Sequence, residues 1–122
     1  MMAPEAWRSS AQLRLEAAHV LLDQEFYGEC ITRAYYAVFS ACKALLASRG
    51  LKARTHKGVH NQLYQSYRDQ IDIDQIDIAF FTILWQERRA YDYQLRVPGP
   101  AHAARRLAEA RLFIEAAAAL RA

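Results

Sequence analysis

Cysteine, proline and glycine are scarce in this chain of 122 residues, with two, three and four copies. So few glycines and prolines, together with 53% hydrophobic residues, argue against long disordered segments. The two cysteines, Cys30 and Cys42, fall on one predicted helix about 18 Å apart, whereas a disulfide needs Cα atoms within about 7 Å. We therefore expect two free thiols and a reducing compartment, the cytoplasm.

Long apolar runs are missing as well. No stretch approaches the roughly 20 apolar residues without a charge that a membrane-spanning helix needs. Residues 1–7 lack the charged region followed by an apolar run that marks a signal peptide. We therefore expect no membrane association.

Several motifs that bind cofactors or metals are also absent. The sequence has no glycine-rich phosphate loop, no nucleophile elbow and no paired-cysteine zinc spacing. His56 and His60 are four residues apart, but zinc needs three or four ligands, and no nearby cysteine or carboxylate completes the set. We expect neither a metal nor a cofactor.

Acidic residues are absent between Glu29 and Asp69. That window instead holds seven basic residues, namely Arg33, Lys43, Arg49, Lys52, Arg54, Lys57 and Arg68. A basic surface of this kind is typical of RNA binding or of an acidic partner. An ordinary solvated charged face explains the charge equally well, and both interpretations stay open.

Apolar residues recur at helical spacing along most of the chain. The pattern predicts helices over about 4–23, 29–48, 60–68, 72–93 and 101–120. Residues 71–78 alternate apolar and acidic residues as a strand does, but no second strand exists to pair with them. We therefore expect a single all-α domain over residues 1–122, an up-and-down bundle of four long helices and one short helix.

The ends of the third and fourth helices have candidate caps. Thr55 is placed to cap the short third helix, whose residues Leu63, Tyr64 and Tyr67 we expect to face the core. Asp72 or Asp74 is the expected N-cap of the fourth helix.

Charged and phenolic side chains gather at the end of the predicted fourth helix. Arg88 and Asp92 are four residues apart and share a face, and so do Arg89 and Tyr93. An arginine beside a carboxylate and a tyrosine hydroxyl can hold a phosphate and tune a proton donor. Alternatively, these are helix-end ion contacts worth a few tenths of a kcal/mol each.

The second helix carries a polar edge beside its apolar stripe, formed by Arg33, Tyr35, Tyr36 and Lys43. The ordinary interpretation is that the tyrosine rings pack in the core while their hydroxyls reach the surface.

Four segments together resemble the HEPN domain family, over nearly the whole chain. They are residues 15–22 with Tyr27-Gly28, residues 33–46 with their Tyr-Tyr-Ala-x-Phe run, the Thr-His-Lys-Gly-Val run at 55–59, and residues 88–93. The resemblance implies a helical bundle that forms a homodimer around an arginine motif. Many members of that family are RNases, often toxins paired with a small nucleotidyltransferase antitoxin, so the resemblance makes metal-independent RNase activity a candidate function.

In that family the motif is an arginine followed after four to six residues by a histidine. In many paired toxins a tyrosine stands two positions before the histidine, and the antitoxin can modify it with a nucleotide. Here Arg88 matches the arginine and Tyr93 matches the modified tyrosine, while Leu95 occupies the histidine position. Leu95 can act neither as a base nor as an acid.

We therefore expect a HEPN-like RNA-binding or toxin-like partner of a minimal nucleotidyltransferase, with weak or absent RNase activity. The expected catalytic side chains are Arg88, Asp92 and Tyr93, and the expected RNA or phosphate contacts are Arg33, Arg54, His56, Lys57 and Arg89. The alternative function is a non-catalytic helical interaction or nucleotide-binding module.

Overall fold

Five α-helices and no β-strand make up the part of the chain that the computed structural model describes, residues 2–71 and 76–120. The helices are α1 (Pro4–Asp23), α2 (Tyr27–Ser48), α3 (His56–Ile71), α4 (Ile78–Gln94) and α5 (Pro100–Ala119). The prediction of an all-α fold is confirmed. No helix within the described ranges combines the length and the apolar character needed to cross a membrane.

The central helix is α2, which packs against all four other helices. The apolar stripe of this helix is buried throughout. It consists of Ile31, Tyr35, Val38, Cys42, Leu45 and Leu46. Because a helix surrounded on several sides has little solvent-facing surface, small residues such as Ala34, Ala37 and Ala41 are buried as well. This explains the low charge of α2.

Helices α1 and α2 run antiparallel, since only residues 24–26 connect them. Trp7 lies against Lys43, and Arg14 lies against Tyr36. Residue numbers therefore rise along α1 as they fall along α2.

The third helix is longer than its apolar pattern predicts. It begins at His56, not at residue 60, and its 16 residues include a kink at Tyr67, whose φ of −123° and ψ of 15° are not helical. Thr55 is the cap, as expected, because its Oγ1 accepts the N–H of Gly58 at 3.0 Å. A capping side chain serves the first turn directly after it, so the helix had to begin at residue 56.

Two expectations for α3 and α4 are wrong. Leu63 and Tyr67 are buried, but Tyr64 is 47% exposed. The N-cap of α4 is Asp77, whose Oδ1 accepts the N–H of Ala79 at 3.0 Å. The expected caps, Asp72 and Asp74, lie outside the described residues.

Both cysteines are free and buried in the core, as predicted. Burial raises the pKa of the Cys30 thiol to about 11 and also raises the pKa of Cys42. Both therefore stay protonated at neutral pH and serve as small apolar side chains.

Candidate functional site

Arg88 projects from α4 onto the tyrosine pair of α2. Its Nη1 donates to Asp92 Oδ2 at 3.1 Å, as the four-residue spacing predicts, and to the Tyr36 hydroxyl at 3.2 Å. The Arg88 side chain is only 13% exposed. We call Arg88, Asp92, Tyr35, Tyr36 and His56 the Arg88 cluster.

Aromatic rings hold the guanidinium of Arg88 in place. Its central carbon lies 5.2 Å from the ring centroid of Tyr35 and 5.5 Å from that of Tyr36, both within cation–π range. The Nε of Arg88 is buried and has no hydrogen-bond partner among the described residues. Because this Nε is buried, a ligand can reach only the donors at the end of the guanidinium, where Nη2 makes no hydrogen bond among the described residues.

The first residue of α3 completes the cluster. The Nδ1 of His56 lies 3.0 Å from the Tyr35 hydroxyl, and its Nε2 lies 3.4 Å from Thr82 Oγ1. The imidazole packs between Phe81, with 4.2 Å between ring centroids, and Trp85, with 4.7 Å. These contacts fix the ring in one orientation.

The electrostatics make His56 a neutral member of the cluster. Burial lowers the pKa of His56 to about 4, and the nearby charges of His60 and Arg88 act in the same direction. Burial also raises the pKa of Tyr35, against the opposing influence of Arg88. At neutral pH the cluster therefore places a cationic guanidinium beside an uncharged imidazole and an uncharged phenol.

A second arginine, which the sequence pattern did not reveal, approaches from α1. The central guanidinium carbon of Arg14 lies 5.6 Å from the ring centroid of Tyr36, and its Nη1 donates to Ser40 Oγ at 3.4 Å. Tyr36 thus contacts two guanidinium groups, Arg14 and Arg88. Only the pairing of α1 with α2 reveals this, because Arg14 by itself looks like an ordinary surface arginine.

Arg89 and Tyr93 lie on the neighbouring face of α4. The guanidinium carbon of Arg89 is 5.1 Å from the ring centroid of Tyr93 and 5.0 Å from that of Trp85. Tyr93 is 70% exposed and contacts Arg89 rather than Arg88. Its ring is therefore accessible from solvent.

Tyr91 has a structural role that distinguishes it from Tyr93. Its hydroxyl donates to the carboxylate of Glu29, and its ring packs directly on Gly28. A Cβ at position 28 would overlap that ring. The glycine in the Tyr27-Gly28 pair is therefore required by the close approach of Tyr91.

Leu95 follows α4 at the position where the resemblance places a histidine. It is 79% exposed and has a left-handed backbone with φ 54° and ψ 34°. The N–H groups of Leu95 and Arg96 bond to the carbonyls of Tyr91 and Ala90, both at 3.1 Å. These bonds form a helix-ending motif that usually has glycine at this position.

Only some of the other predicted phosphate contacts lie at or next to the Arg88 cluster. His56 belongs to the cluster, and Arg89 touches Trp85, which stacks on His56. Arg33, Arg54 and Lys57 are exposed, and the hydrogen bonds of Arg88 within the described ranges go to Tyr36 and Asp92 and not to these residues. Their roles stay predictions.

A comparison with protein families finds one match that covers almost the whole chain. The model of the HEPN domain matches residues 4–120, a range that includes every residue of the Arg88 cluster.

Individual relatives agree with that match. A Methanocaldococcus jannaschii protein named "Putative toxin" is 30% identical over 105 residues, which cover 86% of this chain and 78% of that protein. A second protein of that organism with the same designation is 30% identical over 69% of this chain, and the match spans 53% of its own length. A Thermotoga maritima "UPF0332 protein" is 29% identical over 73% of this chain and 67% of its own length.

Proposed function

Since this chain belongs to the HEPN domain family, we propose that it is a toxin-like protein that binds RNA at the Arg88 cluster. The observation that carries the proposal is the arginine itself. Its guanidinium is held by Asp92 and Tyr36 through Nη1, while its Nη2 makes no hydrogen bond among the described residues. A preorganised cation with spare donors suits a phosphate oxygen.

The surroundings of Arg88 also suit RNA. Arg14 and Arg89 add positive charge near Tyr36 and Trp85, and positive charge beside aromatic rings suits both phosphates and bases.

We propose that the site cleaves RNA weakly or not at all, and that any cleavage needs no metal. Attack by a ribose 2′-hydroxyl requires a base and an acid near the phosphate. Leu95 supplies neither, and His56 is a weak base because its pKa is near 4. The substitution Leu95→His should raise cleavage if the remaining geometry suits catalysis.

We further propose that a small nucleotidyltransferase acts as the antitoxin and modifies Tyr93. Two of the relatives carry toxin names, which supports a partnered system. Tyr93 is 70% exposed, whereas Tyr91 is tied to Glu29. A modifying enzyme can therefore reach Tyr93 without unfolding α4.

A homodimer is the third part of the proposal. Leu95 and Val97 are 79% and 63% exposed, and they lie just beyond Arg88 and Tyr93 along the chain. Exposed apolar groups of this kind favour a protein contact. In a two-fold dimer through this segment, two Arg88 clusters would face one cleft.

The deciding experiment measures RNA binding by fluorescence anisotropy at several salt concentrations, and cleavage of the same labelled RNA with EDTA present. We expect salt-dependent binding, because phosphate contacts release counterions. Any cleavage should persist in EDTA and fall at least about tenfold in Arg88→Ala, a cost of ~1.4 kcal/mol.

Two variants control for charge and geometry. Arg111→Ala removes an exposed arginine of α5 and should leave binding and cleavage almost unchanged. Arg88→Lys keeps the charge but loses the forked donors, so its RNA affinity and any cleavage should lie between those of the wild type and Arg88→Ala. Salt-independent binding, or robust cleavage that survives Arg88→Ala, would contradict the proposal.

A second candidate function is binding without cleavage, as an interaction or nucleotide-binding module. Leu95 favours it, because a leucine replaces the only histidine that the family motif provides. RNA binding that depends on Arg88, with no cleavage even in Leu95→His, would decide for this candidate.

A further inference from the structure

A second basic site lies along α2, away from the Arg88 cluster. It is a cavity of about 230 Å³ between the start of α1, the end of α2 and the loop that follows α2. Its lining residues are Met2, Trp7, Lys43, Ala47, Leu51, Lys52 and Arg54. We call it the Trp7 pocket.

Lys43 joins the three segments of the pocket. Its Nζ donates to the carbonyl of Ala53 in the loop and lies 5.2 Å from the ring centroid of Trp7 on α1. This contact holds the loop against α1. The neighbouring loop residues Lys52 and Arg54 are exposed, so their charged ends can reach a ligand.

Positive charge in the Trp7 pocket is not neutralised by the residues that line it. Three of them are cations, Lys43, Lys52 and Arg54, and none is acidic. Burial and the charge of Arg54 both lower the pKa of Lys43, which shows that the two cations repel each other. Converging like charges cost free energy, and a bound anion would recover it.

The pocket also has the apolar surface that a nucleobase requires. Trp7 contributes an aromatic ring, and Ala47 and Leu51 contribute aliphatic groups. Tryptophan beside lysine and arginine is the combination that binds single-stranded nucleic acid, because each base can pack on the ring while each phosphate pairs with a cation.

The Trp7 pocket and the Arg88 cluster lie on one side of the α1–α2 pair. Trp7 and Arg14 are seven residues apart on α1, and Lys43 and Tyr36 are seven apart on α2, so each pair occupies one helix face. Seven residues of helix span roughly 10 Å. That separation corresponds to about three steps of a stacked strand.

We propose that the Trp7 pocket binds one nucleotide of a single-stranded RNA whose phosphates about three nucleotides along the strand contact Arg14 and Arg88. The base packs against Trp7 and Leu51, and its phosphate pairs with Lys52 and Arg54. The proposal rests on the proposed RNA binding at the Arg88 cluster and names its substrate class, a single strand rather than a duplex.

The two tryptophans allow a test that reports on each site separately. Trp7 lines the pocket, and Trp85 stacks on His56 in the Arg88 cluster. In a ¹⁵N-labelled protein each indole N–H gives its own NMR signal, which a Trp7→Phe variant assigns. A short single-stranded RNA should shift both signals, with the same dissociation constant.

The pattern of shifts distinguishes failure of the two proposals. A shift of Trp85 alone would overturn the pocket and leave RNA binding at Arg88 intact. A shift of Trp7 alone would support the pocket and overturn the Arg88 site. If the RNA shifts neither signal, both proposals are wrong.

Two further ligands identify what the pocket recognises. Adenosine monophosphate should bind at least about tenfold more weakly than the RNA, as measured by titrating the Trp7 signal. The reason is that it lacks the contacts at Arg14 and Arg88. Equal affinity would overturn the RNA assignment in favour of a free nucleotide. A double-stranded RNA of the same sequence should leave Trp7 unshifted, and a shift as large as that from the single strand would contradict the choice of substrate.

Substitutions in the pocket provide an independent readout. The double variant Lys52→Gln/Arg54→Gln should bind the RNA at least about fivefold more weakly. Its salt dependence should be shallower by about 0.7 in log–log slope for each phosphate that the variant no longer binds. Arg105→Gln/Arg111→Gln removes equal charge from exposed positions of α5 and is the matched control. An equal loss of affinity in both double variants would mean that only net charge matters, and would overturn the pocket.

Discussion

Two adjacent residues of α4, Glu87 and Arg88, carry opposite charges and differ in how completely the fold pairs them. Glu87 turns toward α5, where Arg106 binds both of its carboxylate oxygens at 2.9 to 3.2 Å and His102 Nε2 lies 3.0 Å from Oε1. Partial burial raises the pKa of Glu87, but the hydrogen bonds from Arg106 and His102 outweigh it and the net pKa is lowered. The charge of Glu87 is satisfied within the fold.

Arg88 is bound far less completely. Its described hydrogen bonds both come from Nη1, and its Nε has no partner within the described residues. Under the proposed function the two contacts have different roles: the α4–α5 contact stabilises the bundle, and the α2–α4 contact holds the cation that we propose binds RNA. Variants on the two sides of α4 should separate these roles.

Arg106→Ala should change stability more than any other variant considered. It removes a forked, charge-assisted contact with Glu87 across two helices, and we expect a loss of about 2 kcal/mol in the free energy of unfolding. Urea denaturation measures it. RNA affinity should stay within about twofold. Arg105→Ala, which removes only an exposed contact with His102, is the control and should cost little. Equal losses in the two variants would show that the α4–α5 contact is unimportant.

The second-largest expected effect is a loss of RNA affinity in Arg88→Ala. Here RNA affinity should fall about tenfold, or ~1.4 kcal/mol, with a smaller loss of stability than in Arg106→Ala. Anisotropy and urea denaturation on the same samples measure both quantities. If Arg88→Ala destabilises the protein more than Arg106→Ala and leaves RNA affinity unchanged, Arg88 is a structural residue.

The third effect is a pH dependence carried by His56. Its pKa is 6.5 when unperturbed and about 4 in the fold, so between these values the unfolded chain binds more protons. Stability should therefore be fully present above pH 6.5 and fall as the pH drops toward 4. Because the ring is partly exposed, we discount the full shift for solvent screening to about 1 kcal/mol.

A pH series of urea denaturation curves tests the assignment to His56. In His56→Gln the decline between pH 6.5 and 4 should largely disappear, whereas His19→Gln, at an exposed position of α1, should retain it. An unchanged decline in His56→Gln would assign the effect to other groups.

A still smaller effect concerns the end of α4. Leu95 has a positive φ, which glycine adopts without the steric cost of a Cβ. We expect Leu95→Gly to stabilise the protein by about 0.5 to 1 kcal/mol in thermal or urea unfolding. Val97→Gly, also at an exposed position but without a positive φ, should not stabilise it. Destabilisation by Leu95→Gly would indicate that the leucine side chain makes a stabilising contact, such as one in a dimer.

Local features of the fold were predictable from the sequence because their causes lie within a few residues. Thr55 caps α3, Arg88 bonds to Asp92 one turn away, and Cys30 and Cys42 are separated by the length of their helix. Predictions failed where two local signals competed. Asp77, rather than Asp72 or Asp74, caps α4, although all three aspartates carry the same capping side chain.

The candidate site was predictable only in part. Arg88 and Asp92 were found because they share a helix face, and His56 because it stands in a recognisable basic run. The contacts of His56 with Tyr35 and of Arg14 with Tyr36 join residues 21 and 22 positions apart in sequence. The spacing of apolar residues in the sequence carries no information about contacts between residues so far apart along the chain.

The all-helical fold, the buried stripe of α2 and the free thiols follow from the order of residues alone, because apolar spacing and helix geometry act locally. Which charges are satisfied depends instead on how the helices pack. Glu87 meets Arg106 and His102, while Arg88 meets Tyr36 and Asp92. Adjacent residues on a helix point about 100° apart, so packing against different neighbours gives one residue a full set of partners and leaves the other with unused donors.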